Sequence, residues 1–338
     1  MGVQIADIME KTELSFEEVP RLVAVDAFNT IYQFLSIIRQ ADGTPLMDSE
    51  GRITSHLSGL FYRTGNLLSK GMTPVFVFDG KPSDMKKRTI EQRAERKREA
   101  EEKLAAAREK GDLEGIRVYA QQTSRLTNEM VEESKHLLWL MGVPVVQAAS
   151  EGEAQCAVMC EKGLVEAAAS QDYDTLLFGT PVLVKNLTIA GRRKLPRKNS
   201  FIDVVPERID LQANLQRLGI TRKKLVWIGI LAGTDFNEGV KGIGAKKALK
   251  LVREHDDFGA ICRDVGREID FSPVEGLFLE PPYEPVAKEE LRMRPPDRDK
   301  LLEYMLSRSF SADRIDAALK RAFKDPLGSK QDTLEKFF

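Results

Sequence analysis

The sequence predicts an α/β protein with a mostly parallel central sheet and helices on both of its faces. Several short runs are apolar without a polar residue at every second position, which is typical of strands buried on both faces. Long helical patterns separate these runs, as the connections between parallel strands require. The chain has 338 residues, of which 42% are hydrophobic and 30% charged, so it can bury the core that such a sheet needs.

Four apolar runs in the first half of the chain are the predicted strands, and acidic residues follow each of them. The runs are RLVAV, TPVFVF, VPVVQ and VEAAA, and the acids are Asp26, Asp79, Glu151, Glu153, Asp172 and Asp174. Because the carboxyl ends of parallel strands lie along one edge of a sheet, we expect these side chains to meet there. A turn or a helix cap explains any single acid, but four separate caps are the weaker explanation.

Helical patterns follow the first and third strands. After Asp26, apolar residues recur at the spacing of one helix face: Ile31, Phe34, Leu35 and Ile38. After the third strand, Ser150 and Glu153 have the spacing of a capping box, which predicts a helix start. We therefore expect Glu151 and Glu153 both to cap that helix and, through at least one member, to bind metal.

A seventh acid, Asp235, follows a later apolar helix in the segment AGTDFNEG. Seven carboxylates in one cleft would raise one another's pKa values or push the cleft open. Divalent cations remove this repulsion, and oxygen ligands without His or Cys favour Mg²⁺ or Mn²⁺. A site that leaves room for water and substrate predicts two such ions, the arrangement used for in-line displacement at phosphorus.

A highly charged insert occupies about 81–130, between the second and third strands. From Lys86 to Lys110 it contains ten Lys or Arg and six Glu, so its helix has no apolar face to bury. One interpretation is a solvated helix held by i,i+4 ion pairs. The other is a charged arch over the acidic edge, in which Lys86 and Arg93 stabilise the charge of a bound phosphate.

A glycine-rich segment at 239–247, GVKGIGAKK, precedes the apolar helix pattern ALKLV. Its spacing is not that of a Walker motif. It matches a helix-hairpin-helix at about 225–260, in which glycines let backbone N–H groups approach a phosphate while lysines add positive charge. This predicts non-specific binding to a duplex backbone by Gly239, Lys241, Gly242, Gly244, Lys246 and Lys247.

The chain ends in QDTLEKFF, within a predicted flexible tail at 326–338. Leu334, Phe337 and Phe338 share one face of a short helical turn. The turn either docks on the protein's own core or anchors the chain in a partner's pocket, and two terminal phenylalanines in a polar tail favour the anchor.

Composition limits the cellular setting. The net charge of −1 does not by itself indicate nucleic acid, although local basic patches matter more than the total. Three cysteines form no disulfide framework and indicate a reducing compartment. No run is apolar enough to cross a membrane and no signal peptide is evident, so we expect a cytoplasmic protein that is not secreted and binds no membrane.

Together these segments resemble the flap endonucleases, structure-specific 5′ nucleases of DNA replication and repair, in their archaeal form. The resemblance covers nearly the whole chain and rests on VDAFNTIYQFL, VFVFDGKP, SEGEAQ, SQDYDTLLFG, AGTDFNEGVKGIG and QDTLEKFF. It implies a single α/β nuclease core at 1–325 that works as a monomer and associates with the nucleoid. One departure is Ala245, which stands where the family commonly has Pro.

The resemblance also implies roles for individual residues. The seven acids correspond to the ligands of two Mg²⁺ ions, for which Mn²⁺ can substitute. Lys86 and Arg93 correspond to the basic pair of the helical arch, and Tyr32 to an aromatic that stacks against the base beside the scissile phosphate. Gly2 lies near the active site once Met1 is removed.

Further implied roles concern DNA and a protein partner. Segment 40–60 corresponds to the wedge that bends the DNA at the junction, and the hairpin at 239–247 can hold a K⁺ ion. The tail corresponds to the motif that binds the ring-shaped sliding clamp through Gln331, Leu334, Phe337 and Phe338.

The function that follows is metal-dependent cleavage of branched DNA with a 5′ flap, together with 5′–3′ exonuclease activity. One alternative is a single-strand ribonuclease with a similar acid-edged sheet, which the duplex-binding hairpin and the long arch disfavour. The other is a non-catalytic scaffold that binds the clamp and holds junction DNA. The complete set of acids disfavours the scaffold, since a pure phosphate binder would gain by losing them.

Overall fold

The computed structural model describes residues 2–40, 42–189, 191–194, 201–268 and 270–323. The strands of that part of the chain are β1 (Thr12–Glu13), β2 (Leu22–Asp26), β3 (Thr73–Phe78), β4 (Val145–Gln147), β5 (Ala167–Ala169), β6 (Val182–Lys185), β7 (Gly191–Lys194), β8 (Phe201–Val204) and β9 (Glu207–Asp210). Its α-helices are α1 (Ala27–Ile37), α2 (Ser55–Ser69), α3 (Lys87–Glu109), α4 (Leu113–Gln122), α5 (Asn128–Leu140), α6 (Gly152–Glu161), α7 (Asp174–Leu177), α8 (Leu211–Leu218), α9 (Arg222–Ala232), α10 (Ala245–Glu254), α11 (Phe258–Asp264), α12 (Ser272–Leu279), α13 (Arg298–Ser307) and α14 (Ala312–Ala322).

The central sheet has the strand order β1-β9-β6-β5-β2-β3-β4. Strands β2 to β6 run parallel to one another, whereas β9 pairs antiparallel with β6 and with β1. Strands β7 and β8 form a separate antiparallel hairpin. The predicted α/β fold with a mostly parallel sheet is confirmed, and the antiparallel edge is an addition that the apolar runs did not predict.

Helices cover both faces of the sheet because successive strand residues point to opposite sides. Val25 of β2 packs in one core with Phe34 of α1 and Leu60 of α2. Its neighbour Ala24 packs in another core with Met159 of α6. Strands buried on both faces therefore read as continuous apolar runs, as the sequence indicates.

The charged insert forms the hairpin of α3 and α4. Only Ala100 and Ala107 of α3 are buried, and both lie in the second half of the helix. Lys97 Nζ donates to the carbonyl of Ser124 at 2.8 Å, beyond the end of α4. No residue in the first half of α3 is buried, and its contacts with the protein body are polar.

Two predictions from the sequence concern the C-terminal tail and membrane-spanning segments. The tail at 326–338, which is predicted to bind the sliding clamp through Gln331, Leu334, Phe337 and Phe338, lies outside the described residues. Among the residues that are described, no helix combines the length and apolarity that spanning a bilayer requires.

Candidate active site

The first two acids lie where adjacent parallel strands end. Asp26 closes β2 and caps α1, because its Oδ1 accepts from the N–H of Asn29 at 3.0 Å. Asp79 follows β3, and its Oδ1 accepts from the N–H of Gly152 at 2.8 Å. Strand pairing therefore sets the relative position of these carboxylates, since Asp26 stands opposite Val77 in the register.

The capping box predicted for Ser150 and Glu153 is wrong. Helix α6 begins at Gly152 with Glu151 as its N-cap, and the Glu151 side chain makes no capping hydrogen bond. Ser150 Oγ donates instead to the carbonyl of Lys81 at 3.0 Å. Asp79, which follows the neighbouring strand, satisfies the first N–H of α6, so the helix start does not depend on a side-chain cap from either glutamate.

Glu153 lies beside Asp26 although the two are far apart in sequence. The hydroxyl of Ser170 is 3.2 Å from Asp26 Oδ2 and 3.2 Å from Glu153 Oε1. One hydroxyl has a single proton to donate, so it holds both carboxylates at close range without satisfying both.

Asp172 and Asp174 follow β5 and are held by the N-terminal segment of the chain. Asp172 accepts from the N–H of Gly2 at 3.2 Å and from Asn29 Nδ2 at 2.9 Å. Asp174 Oδ1 accepts from the N–H of Val3 at 2.6 Å. Gly2 therefore lies at this edge, where the resemblance implied, and a Cβ there would come within 3.0 Å of the Asp172 Cβ.

Asp235 joins the cluster from the turn after α9 and meets the base of the arch. Arg93 of α3 donates to its carboxylate, and Lys86 Nζ lies 4.0 Å from the same group. Lys86, in the short 3₁₀ turn before α3, also pairs with Glu151. The two predicted arch cations thus reach the acidic edge together.

The electrostatics of the cluster are those of carboxylates removed from water and held close together. Burial and then the charge of Asp79 raise the pKa of Asp26 to about 7. Burial and the charge of Glu151 raise the pKa of Asp79 to about 6. Burial likewise raises the pKa of Asp174 to about 7, and Asp235 and Asp172 add to the effect.

Glu153 is perturbed in the same direction, since burial and the charges of Asp172 and Asp174 raise its pKa well above the ordinary range. Lys86 is the opposite case: burial, the largest single influence, would lower its pKa, but the charge and hydrogen bond of Glu151 together with the charges of Glu153 and Asp235 outweigh burial and raise it. The seven acids therefore form one interacting set in which positive charge is favourable.

The donor set fits hard divalent cations. All seven side chains offer carboxylate oxygens, which Mg²⁺ and Mn²⁺ prefer. Glu151 Oε1 is buried and has no hydrogen-bond partner in the described chain, so a cation there would relieve an unsatisfied acceptor. No three acidic, His or Cys side chains of that part of the chain are yet close enough to enclose an ion.

Most of the residues predicted to bind DNA are exposed. Tyr32 of α1 is 44% exposed, so its ring is accessible for stacking. Lys241, Gly242, Gly244, Lys246 and Lys247 are exposed in the turn before α10 and in its first residues. Gly239 has a structural reason to be glycine, because a Cβ there would lie 2.4 Å from the carbonyl carbon of Ala232.

The hairpin region also contacts the N-terminal segment. Lys246 Nζ lies 3.9 Å from a carboxylate oxygen of Asp7, and both side chains are mostly exposed. Lys247 Nζ donates to the carbonyl of Gly242 at 3.0 Å. These contacts leave the lysines available to an incoming phosphate, but DNA binding by the hairpin stays a prediction.

Sequence reasoning missed the residues that orient the acids. Asn29, Ser170 and Val3 each donate to one or more carboxylates of the cluster. Asn29 and Ser170 stand within three residues of a predicted site acid, and that proximity was the available signal. Val3 offers only a backbone N–H, so its sequence carries no such signal.

Two family models and many known proteins match this sequence. The model of the XPG N-terminal domain matches residues 1–100, and that of the XPG I-region matches 142–235. Flap endonuclease 1 of Thermococcus onnurineus is 51% identical over 342 residues, which cover 100% of this chain and 99% of that relative.

Solved structures also resemble this chain over most of its length. Flap endonuclease-1 from Methanococcus jannaschii is 39% identical with a TM-score of 0.73, covering 96% of this chain and 98% of that one. The catalytic core of Rad2, solved in complex with DNA substrate, is 25% identical with a TM-score of 0.67, covering 94% and 98%. With half of its residues shared over the full length of its archaeal relatives, the chain belongs to the flap endonuclease 1 family.

Proposed function

We propose that this protein cleaves branched DNA that carries a 5′ flap, near the junction of single and double strands, and also acts as a 5′–3′ exonuclease. The observation that carries the proposal is the set of seven acids at one sheet edge, faced by Lys86 and Arg93 of the arch. The name of the archaeal relatives and the DNA in the Rad2 structure support it.

The family's ligand pattern assigns the acids to two Mg²⁺ ions, with Mn²⁺ as a substitute. Asp26, Asp79, Glu151 and Glu153 would hold the tighter ion, and Asp172, Asp174 and Asp235 the other. Such ions supply an activated water at neutral pH and charge stabilisation for the attacking and leaving oxygens.

The chain's own groups contribute orientation and charge. Asn29, Ser170 and the N–H groups of Gly2 and Val3 orient the carboxylates, a role that outer partners of metal ligands commonly have. Lys86 and Arg93 would donate to the non-bridging oxygens of the scissile phosphate and stabilise the charge that develops there. Most of the acceleration would come from positioning and electrostatics.

DNA recognition would be spread over several elements. The exposed lysines around the hairpin would bind the duplex backbone without reading its sequence, with a K⁺ ion in the hairpin. Tyr32 would stack on the base beside the scissile phosphate, and segment 40–60 would act as the wedge. The tail would bind the sliding clamp, and the monomer would work in the cytoplasm on the nucleoid.

Substitution of Asp174 tests the proposal. Asp174→Asn keeps the shape of the side chain but removes its charge, so we expect cleavage of a fluorescent 5′-flap duplex in Mg²⁺ to slow by more than about 100-fold. Asp256→Asn removes an exposed acid that pairs with Lys224, and it should cleave like the wild type.

The outcomes separate the alternatives. Full activity of Asp174→Asn would reject the site. Flap binding by the wild type without any Mg²⁺-dependent cleavage would favour the scaffold, and faster cleavage of plain single-stranded RNA than of flap DNA would favour the ribonuclease.

A further inference from the structure

The base of the arch is fastened to the same carboxylates that the proposed function gives to the metal ions. Lys86 pairs with Glu151, and Arg93 pairs with Asp235. Thr89, between them, donates its hydroxyl to the backbone carbonyl of Asp235 at 2.7 Å. The arch therefore contacts one acid from each of the two proposed ligand groups.

The Lys86 contact is sheltered from water, whereas the Arg93 side chain is 48% exposed. The Lys86 side chain is 17% exposed and that of Glu151 is 7% exposed. Lys86 Nζ also lies 5.1 Å from the centre of the Phe236 ring. An ion pair shielded from water in this way interacts more strongly than one on the open surface, and it cannot be broken without a replacement for each charge.

Glu151 is only half satisfied by this arrangement. One of its oxygens pairs with Lys86, while Oε1 is buried with no hydrogen-bond partner among the described residues. A buried acceptor without a partner costs free energy. Glu151 thus pairs with Lys86 of the arch through one oxygen, while its other oxygen is available to a metal cation.

Few other contacts hold the first half of α3 to the protein body, and the donation from Lys97 to the carbonyl of Ser124 is one of them. Its buried residues, Ala100 and Ala107, lie in its second half and pack near α4. Arg88 pairs with Glu238, but both side chains are more than half exposed, and exposed pairs contribute little. The pairs made by Lys86 and Arg93 are therefore the principal polar attachment at the base of the arch.

We propose that Lys86 and Arg93 are internal counter-ions that hold the arch against the acidic edge until Mg²⁺ displaces them. This inference rests on the proposed function for the location of the metal. Mg²⁺ binding at Glu151 and Asp235 neutralises the charge that attracts the two cations, so it detaches the base of α3. Because binding equilibria are reciprocal, the attached arch must weaken Mg²⁺ binding by the same factor.

The device has a direct functional consequence. Before Mg²⁺ binds, Lys86 and Arg93 are paired with the protein's own acids and are not available to a phosphate. Once it binds, Lys86 and Arg93 are released on the side from which a phosphate would approach, and the phosphate becomes their new partner. The arch is thus closed onto the site without metal and becomes available to DNA with it.

Mg²⁺ binding without DNA provides the test, because no cleavage is involved. Calorimetric titration with MgCl₂ should show that Lys86→Met and Arg93→Met bind Mg²⁺ about 5- to 150-fold more tightly than the wild type, the range of typical coupling between sites. The same variants should cleave flap DNA more slowly, so affinity and activity would move in opposite directions. Arg98→Met removes the same charge from α3, where Arg98 pairs with the neighbouring Glu95, and it measures the general effect of a lost positive charge.

A second measurement uses the unmodified protein and so does not depend on the variants folding. Hydrogen exchange of residues 84–99 should accelerate when MgCl₂ is added without DNA. Unchanged exchange there, or Mg²⁺ affinity in the two variants no greater than in Arg98→Met, would overturn the inference. If the wild type then still binds Mg²⁺ and cuts flap DNA, only this inference is rejected and the proposed function stands. If it does neither, the proposed function itself is rejected.

Discussion

The ammonium group of Lys185 lies over the ring of Tyr173, with Nζ 3.7 Å from the ring centre, and donates to the carbonyl of Gln171 at 2.5 Å. Lys185 ends β6, next to β5, and so reaches the loop that carries Asp172 and Asp174. Burial lowers its pKa to about 8, although the charge of Asp172 opposes this. A partly buried cation therefore fastens the segment between two acids of the site.

We expect Lys185→Met to raise the Mg²⁺ concentration for half-maximal cleavage by about 10- to 100-fold, because the acid-bearing loop loses its anchor. Lys185→Arg should restore most of the wild-type behaviour, since a guanidinium donates to carbonyls and stacks on aromatic rings. The measurement is the cleavage rate across a Mg²⁺ titration. An unchanged titration for Lys185→Met would show that the loop holds its shape without this contact.

The raised pKa values of the buried acids predict how stability depends on pH without metal. Burial raises the pKa of Asp26 and Asp174 to about 7, from an ordinary value of 3.8. The folded protein then binds more protons than the unfolded chain between about pH 4 and pH 7, so stability falls as the pH rises through that range. In EDTA, the melting temperature should be higher at pH 6 than at pH 8.

Two additions make this measurement specific to the site. Mg²⁺ should reduce the difference between pH 6 and pH 8, because bound cations remove the penalty on the ionised acids. Asp26→Asn should melt at a higher temperature than the wild type at pH 8 in EDTA, while losing cleavage. A melting temperature in EDTA that rises from pH 6 to pH 8 would contradict the pKa directions.

Gly2 should not tolerate even a methyl group. A Cβ there would lie 3.0 Å from the Asp172 Cβ and 3.1 Å from the Asp174 Cγ, so Gly2→Ala must shift both acids. We expect kcat to fall by about 10- to 100-fold while DNA affinity in EDTA stays near that of the wild type. Gly276→Ala is the matched control, since its Cβ would meet no atom within 4 Å. Equal kcat for the two variants would argue against a precise position for Gly2.

The tail prediction concerns residues beyond the described part of the chain. Phe337→Ala combined with Phe338→Ala should abolish stimulation by the sliding clamp and leave basal flap cleavage nearly intact, because both aromatic anchors are lost. Glu335→Ala, in the same segment, serves as the control. Calorimetric titration of the clamp is the direct measurement, and undiminished affinity of the double variant would reject the motif.

The sequence predicted the frame of the site well because that frame is a property of parallel strands. Val25 and Ala169 stand opposite each other on paired parallel strands. The acids that follow them therefore meet at one edge of the sheet, independently of the conformation of the helices between the strands. Asp26, Asp79 and Asp172 could therefore be found from apolar runs that stop at an acid.

The parts that the sequence could not predict depend on partners far along the chain. Ser150 and Glu153 have capping-box spacing, but Asp79 offers the first N–H of α6 an acceptor from another strand, and local spacing cannot reveal such a competitor. Gly2 and Val3 bind acids about 170 residues away through backbone N–H groups, which every residue except proline has.

The pairing of β2 with β3 sets Asp26 opposite Val77, one residue before the end of the neighbouring strand. A slip by one residue would turn Asp26 to the other face, into packed apolar side chains, so intermediate displacements have no low-energy form. Gradual warming should therefore not shift Asp26 along β3 in small steps. Asp26 should keep its position beside the end of β3 until the sheet itself melts, and then lose it in a single cooperative transition.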